Sequence, residues 1–383
     1  MRGTRLLGLA SAVTLGALTT FPAPVAHAAP AAKCEQPRQA GHPRAQLPKQ
    51  LWPQERLNFT EAWALTRGKG VRVAVLDSGV DASHPQLRGR VHALDVTGTG
   101  LTDCVGHGTS VTGIIGARDL RAKGVPFLGV APEAQLISIK VATGGSDNNP
   151  KWAPLGIRKA ADLGARVINT SFQSLDYAEL RTAVQYAQRK GAIIVAAAGN
   201  TRDEQKQTEV NAYPASYPGV IAVGALNQDG SLATFSNKTT PVTVTAPGQN
   251  VVSTWPEGTY HMDNGTSQAA PYVTGTIALM LSYHPKWTPQ QVLRQIQNTA
   301  DGATAQGTGS GVVNAQRAVT TTEVGHQAAA AAAPQRVTVM QPPKEDRLGK
   351  ILAFSIAGAT LVAAAGIGVG ALVIPAARRR AAG

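Results

Sequence analysis

Four residues in this chain carry side chains suited to acyl transfer, and each stands where a strand should end or a helix begin. Asp77 closes the apolar run in VAVLDSGVDASHPQL, and His107 opens an apolar helix in DCVGHGTSVTGIIGA. Asn200 follows the strand-like IIVAAAG, and Ser267 lies in DNGTSQAAPYVTGTIALM. Taken singly, each has a plain structural role: a turn, a helix cap, a loop, another cap. Taken together, an acid, an imidazole, an amide and a hydroxyl match a recurrent solution to acyl transfer.

The chemistry follows from the residue types. A serine hydroxyl is a weak nucleophile until a base takes its proton, so His107 is assigned to accept it from Ser267 and later to deliver it to the leaving amine. Asp77 then holds the imidazole tautomer and stabilises the imidazolium. The amide of Asn200 and the backbone N–H of Ser267 are assigned to the oxyanion, each donor being worth roughly 3 kcal/mol at the transition state. The setting of Ser267 fits this role. The first N–H groups of a helix have no intrahelical partner and the dipole is positive there, which favours developing negative charge. Pro271, placed in or just after the first turn, is expected to cost little.

These residues need a frame, and the intervening sequence supplies one. Apolar, β-branched runs at 71–76, 134–141, 165–172, 192–198 and 220–226 have the length and composition of strands buried on both faces. Helical patterns at 153–164, at 176–191 with Asp176 as cap, and at 288–300 with Thr288 as cap and Pro289 following it alternate with or follow them. The rhythm predicts an α/β fold, a parallel sheet flanked by helices, with the site at the carboxyl ends of the strands.

The ends are of different character. Residues 1–28 have Arg2 and Arg5, an apolar stretch and a closing Ala-His-Ala, the pattern of a cleaved signal peptide. Residues 29–57 are rich in Pro and Gln without helical or strand period and read as an extended arm. The main body runs over 58–320, followed by a low-complexity linker at 321–350. Residues 351–374 carry no charge and are long enough to span a bilayer of about 30 Å, with Arg378, Arg379 and Arg380 in the tail at 375–383. This predicts a single-pass protein of the cell membrane with its body outside. Of the net charge of +13, two come from the signal segment and a net five from 336–383, leaving +6 scattered over the rest, a pattern that does not fit nucleic acid as partner. Cys34 and Cys104 are the only cysteines and fall in the exported part, so a disulfide between them is expected, retaining the arm across the body.

With LDSGV around Asp77, GHGTSVTGII around His107, AAAGN ending at Asn200 and NGTSQAAPYVTG around Ser267, residues 58 to 318 resemble the subtilases, the subtilisin-like serine proteases. A narrower likeness is to the mycosins, the membrane-anchored subtilases of type VII secretion systems. It rests on Cys104 three residues before His107, on YPASYPGVIAVGALNQDG at 213–230, and on the arm and C-terminal segment. The resemblance implies a subtilisin-like fold, peptide or protein substrates and a secretion-complex partner. It also leaves open two further roles: a non-catalytic component steadying such a complex, and a free-standing surface protease. Many subtilases carry Ser-Leu-Gly-Gly along the substrate edge; here Ser171, Phe172, Gln173 and Ser174 replace it, so these residues are expected to bind extended peptide in a narrowed cleft. No organic cofactor is implied. No repeated carboxylate pattern marks a calcium loop, although Asp147 and Asn148 fall in a surface insertion, and no metal ligand is assigned.

Overall fold

The computed structural model describes residues 39–144, 149–201, 210–302 and 305–321. The signal-like segment, Cys34, Asp147, Asn148, most of the linker and the 351–374 segment lie outside them. Among the described residues no helix is long and apolar enough to cross a membrane.

Seven parallel strands make the central sheet. They are β1 (Arg72–Asp77), β2 (Val91–Asp95), β3 (Gln135–Lys140), β4 (Val167–Thr170), β5 (Ile193–Ala197), β6 (Ile221–Leu226) and β7 (Val244–Pro247), ordered β2-β3-β1-β4-β5-β6-β7. All five expected strands are present: four are trimmed at one or both ends, and β1 is shifted by one residue so that it ends on Asp77. β2 and β7 complete the sheet as its two edges. β2 is half-exposed, so it lacks the continuous apolar text that marks a strand covered on both faces. β7 is fully buried but only four residues long and ends on Pro247, which an edge strand tolerates.

Alternation along the strands splits the core in two. Val73 and Val75 point into one layer with α2 (His107–Gly116) and α5 (Thr266–Tyr283); Ala74 and Leu76 point into the other with α3 (Trp152–Asp162) and α4 (Ala178–Arg189). β1 lies between β3 and β4, where the connections change direction, so Asp77 leaves the sheet at the switch point where α/β folds open a crevice. α6 (Pro289–Thr299) starts as expected: Thr288 Oγ1 accepts from Gln291 N–H, and the Gln291 side chain accepts from Thr288 N–H, a capping box. α4 does not. Its cap is Tyr177, and Asp176 instead accepts from the Tyr217 hydroxyl at 2.7 Å and pairs with Arg181.

An antiparallel hairpin, β8 (Val251–Trp255) with β9 (Thr259–Asp263), stands outside the main sheet. The described part of the arm lies along it: His42 and Tyr260 exchange both backbone hydrogen bonds, at 2.6 and 2.9 Å. The arm is not wholly irregular. It contains a 3-10 turn at Arg44–Gln46 and a short helix, α1 (Trp52–Leu57), whose Leu57 joins the core beside Phe59. Pro53 sits in the first turn of α1, where its missing N–H is not needed. A last helix, α7 (Ala315–Thr320), is capped by the Asn314 side chain accepting from Arg317 N–H.

The buried helix α5 approaches its neighbours closely. A β-carbon at Gly275 would stand 2.5 Å from Cβ of Val130. Gly275→Ala is therefore expected to lower stability by about 1–3 kcal/mol through overpacking, read as a shift in the urea midpoint with an unchanged slope.

Candidate active site

Asp77 and His107 meet. The carboxylate Oδ1 at the end of β1 lies 2.8 Å from Nδ1 at the first residue of α2, with Asp77 buried and the His107 side chain 23% exposed. An ionised carboxylate can only accept, so Nδ1 carries the proton and Nε2 is left as the base. Asp77 Oδ1 also accepts from Ser78 N–H at 2.8 Å, while its buried Oδ2 has no hydrogen-bond partner among the described residues.

A residue absent from the sequence-based assignment holds this corner in place. Asp103 is buried; its Oδ1 accepts from the Ser78 hydroxyl at 2.9 Å and from the N–H groups of Val105 and Gly106. Its Oδ2 accepts from Thr109 N–H at 2.8 Å and from Thr109 Oγ1 at 2.6 Å. Ser78 Oγ in turn accepts from Gly108 N–H at 2.9 Å. Three N–H groups at the start of α2, those of Gly106, Gly108 and Thr109, are thus satisfied from outside the helix, and a negative charge sits at its positive end. The available signal was a carboxylate four residues before His107.

Gly106 has φ +92°, and a β-carbon there would fall 2.4 Å from the Trp255 ring. That position requires glycine on both counts. The Trp255 indole N–H donates to the carbonyl of Gln39 in the arm at 2.8 Å, so one ring touches both the arm and the residue preceding His107.

Ser267 and Asn200 form a second pair. Three groups surround the point where a β-carbon of Gly265 would stand: Ser267 Oγ at 2.7 Å, Asn200 Nδ2 at 3.3 Å and Ser267 N at 3.5 Å. Asn200 is oriented by its other amide atom, since Oδ1 accepts from both N–H and Oγ1 of Thr266, each at 2.9 Å. Thr266 Oγ1 accepts from Gly199 N–H at 3.1 Å. Neither Asn200 Nδ2 nor Ser267 N–H is hydrogen-bonded among the described residues, which leaves two aligned donors beside a hydroxyl.

The position of Pro271 corrects an expectation. It is the sixth residue of α5, past the first turn, so its missing N–H deprives the Ser267 carbonyl of its helical partner. Ser171 Oγ supplies the replacement, donating to that carbonyl at 2.8 Å and accepting from Asn169 Nδ2 at 2.9 Å. The Ser171 side chain is therefore engaged with the helix that carries Ser267, while the residue also lines the cleft beside His107. Ser174 is committed as well, exchanging both backbone bonds with Tyr213.

The two pairs are joined by helix packing. Ser110, one turn into α2, donates to Gln268 Oε1 on α5 at 3.1 Å. No hydrogen bond connects His107 Nε2 with Ser267 Oγ among the described residues. A cleft of about 330 Å³ opens on Asp77 and His107, walled by Val105, Val141, Phe172 and Tyr177. Among the described residues no group of three His, Cys, Asp or Glu could hold a metal.

The model of the subtilase family (Peptidase_S8) matches residues 68–328. The chain belongs to the subtilase family. Subtilisin E of Bacillus subtilis (strain 168) is 40% identical over 258 residues, 66% of this chain and 66% of its own length; the chain thus spans just under two thirds of that relative. Subtilisin of Bacillus pumilus is 39% identical over 258 residues, covering 66% of this chain and 91% of that protein. Among solved structures, the MycP3 protease from the type VII (ESX-3) secretion system superposes with TM-score 0.62 at 33% identity, over 73% of this chain and 91% of that one. MycP1 from Mycobacterium smegmatis does so with TM-score 0.64 at 29% identity, over 76% and 90%. The subtilase likeness expected from the four motifs is therefore shown, together with its narrower leaning toward mycosins.

Electrostatics set how this subtilase responds to pH. Burial works to lower the His107 pKa, but the Asp77 charge and hydrogen bond, with Asp263 and Asp103 further off, outweigh it and raise the value from 6.5 to about 9. A raised imidazole pKa adds stability that is complete below about 6.5 and is lost as pH climbs through about 9. Activity runs the other way, because only neutral imidazole accepts a proton. Turnover is expected to climb on the alkaline side while the melting temperature falls, and His107→Gln should abolish this histidine-linked fall when melting is followed from pH 6 to 10.

Proposed function

We propose that the chain is a membrane-anchored extracellular serine endopeptidase, hydrolysing peptide bonds through Asp77, His107 and Ser267 with Asn200 and the Ser267 N–H as oxyanion donors. The observation that carries this reading is the convergence of Ser267 Oγ, Ser267 N and Asn200 Nδ2 beside Gly265, on a helix packed against the one that presents His107 paired to Asp77. Proton transfer to Nε2 activates Ser267, and attack on the carbonyl gives an oxyanion that the two donors meet. The imidazolium, stabilised by Asp77, then protonates the leaving amine, and water completes hydrolysis by the same route.

A place beside a type VII secretion apparatus is supported by likeness to MycP3, described as a protease of that system. Export by residues 1–28 and anchoring by 351–374 rest on the sequence alone. Pairing of Cys34 with Cys104 is supported by the lack of any free cysteine among the described residues. On the chain-entropy account such a bridge, closing a loop of about 70 residues, would stabilise by up to roughly 4 kcal/mol.

One preparation of membranes tests the enzymatic reading. A fluorophosphonate probe should label the native protein and fail on Ser267→Ala, while Asn200→Ala should slow peptide turnover by ~100-fold with little change in substrate affinity. Absence of labelling in native membranes would leave a non-catalytic component of a secretion complex as the function. Truncation after Gln335 should release soluble, active protein; continued fractionation with membranes would remove 351–374 as the anchor. Intact-mass measurement of the mature protein should show Cys34 retained and neither thiol free.

A further inference from the structure

The helices that carry the base and the nucleophile are joined by a closed circuit of side chains. Its centre is Gln268, the residue after Ser267, which is wholly buried. Its Oε1 accepts from the Ser110 hydroxyl of α2 at 3.1 Å, and its Nε2 donates to Oδ2 of Asp263, the last residue of β9, at 3.2 Å. The hairpin completes the ring. Asp263 is paired with Val251 across the two strands, and β8 returns to the first turn of α2 by two buried hydroxyls. Ser253 Oγ donates to the Ser110 carbonyl at 2.7 Å, and Thr254 Oγ1 donates to the Thr109 carbonyl at 2.8 Å.

A buried carboxamide costs free energy unless both of its ends are bonded, and an apolar side chain of similar length would fill the space without that requirement. Here both ends are bonded, and the bonds tie α5 to α2 and to the hairpin. What lies beyond Nε2 is charged. The Asp263 carboxylate is also held at Oδ1, which accepts from Asn264 N–H at 2.7 Å, so both of its oxygens are fixed. Burial lowers the His107 pKa, and the charges opposing it are, in order, Asp77 on β1, Asp263 on β9 and Asp103 in the loop before α2. The other imidazole near Asp263 is His261, two residues back on the same strand; burial and His42 of the arm act to lower its pKa, and Asp263 to raise it.

We propose that Gln268 and Asp263 are a positioning pair for the reaction: Gln268 fixes the spacing of the base and nucleophile helices and, by the same bonds, holds a second carboxylate toward the imidazolium formed when His107 takes the Ser267 proton. This rests on the serine-hydrolase reading of the site. Asp77 orients the ring by its hydrogen bond, whereas Asp263 contributes charge. The imidazolium therefore forms in the field of carboxylates from two strands, β1 and β9, and both are fixed before the proton moves.

The test measures capture of Ser267 by a fluorophosphonate from pH 6 to 10, using full-length protein in detergent-solubilised membranes. Limiting rate and half-saturating probe concentration are taken separately, and the final extent of labelling gives the competent fraction, so loss of folded protein does not enter the rates. The pH dependence reports the His107 proton, since only neutral imidazole accepts. Asp263→Asn keeps the shape and removes the charge; the midpoint of the alkaline rise should move to lower pH by about half a unit or more, because less negative charge favours the neutral ring. Gln268→Met, close in length and without a bond at either end, should cut the limiting rate by about tenfold with little change in the half-saturating concentration. Ser110→Ala removes one link of the circuit and should cut it less, and adding it to Gln268→Met should cost nothing further. A midpoint unmoved by Asp263→Asn, a limiting rate unmoved by Gln268→Met, or losses from Ser110→Ala and Gln268→Met that multiply overturns the pair, while native labelling still upholds the hydrolase. Failure of the native protein to label at any pH overturns the hydrolase reading and the pair with it.

Discussion

The buried carboxylate of Asp103 is the constraint on which the site depends. Burying a charge is costly unless it is hydrogen-bonded on all sides, and here five donors from Ser78, Val105, Gly106 and Thr109 surround it. Those donors belong to the end of β1, to the loop before α2 and to the first turn of α2. One group therefore fixes the strand that carries Asp77 relative to the helix that carries His107. Its charge also adds to the field that favours the imidazolium. Losing it would leave several buried N–H and O–H groups unpaired, each worth more as a penalty than the bond was as a gain.

The Ser267 side of the site is built on the same logic with different parts. Thr266 locks the Asn200 carboxamide by its oxygen so that the nitrogen faces outward, and the interruption at Pro271 is repaired by Ser171. In both halves a helix begins with donors that cannot be met from within. At the start of α2 the N–H groups of Gly106, Gly108 and Thr109 are taken up by neighbouring side chains, whereas at α5 the Ser267 N–H, beside Asn200 Nδ2, has no hydrogen-bond partner among the described residues.

What was legible in the sequence follows from locality. Strands buried on both faces announce themselves as β-branched runs, and a Thr-Pro start or a Gly-Thr-Ser before an apolar helix is a signal within a few residues. β2 escaped notice because half-exposure breaks its apolar text, and β9, Thr-Tyr-His-Met-Asp, because it is polar and only partly covered. Asp176 was expected to cap α4 because it precedes a helical pattern, but Tyr217, 41 residues on, competes for its carboxylate. Asp77, His107, Asn200 and Ser267 stand out in the sequence only as a set, each by residue type and local setting. Asp103's bonds to residues 105–109 are local, but its link to Ser78, 25 residues back, and that of Ser171 to the Ser267 carbonyl, 96 residues on, depend on partners that only the fold brings close.

Trp255 has a consequence for observing the molecule. Its indole lies against the residue before His107 and its N–H is bound by the arm at Gln39, with the ring 5% exposed as a residue. An indole held this way emits at short wavelength, and its emission moves to the red when water reaches the ring. Trp255 touches both the arm, at Gln39, and Gly106, the residue before α2. Intrinsic fluorescence therefore carries a built-in optical signal of whether the arm is seated, recorded at the edge of the chemistry and without any added dye.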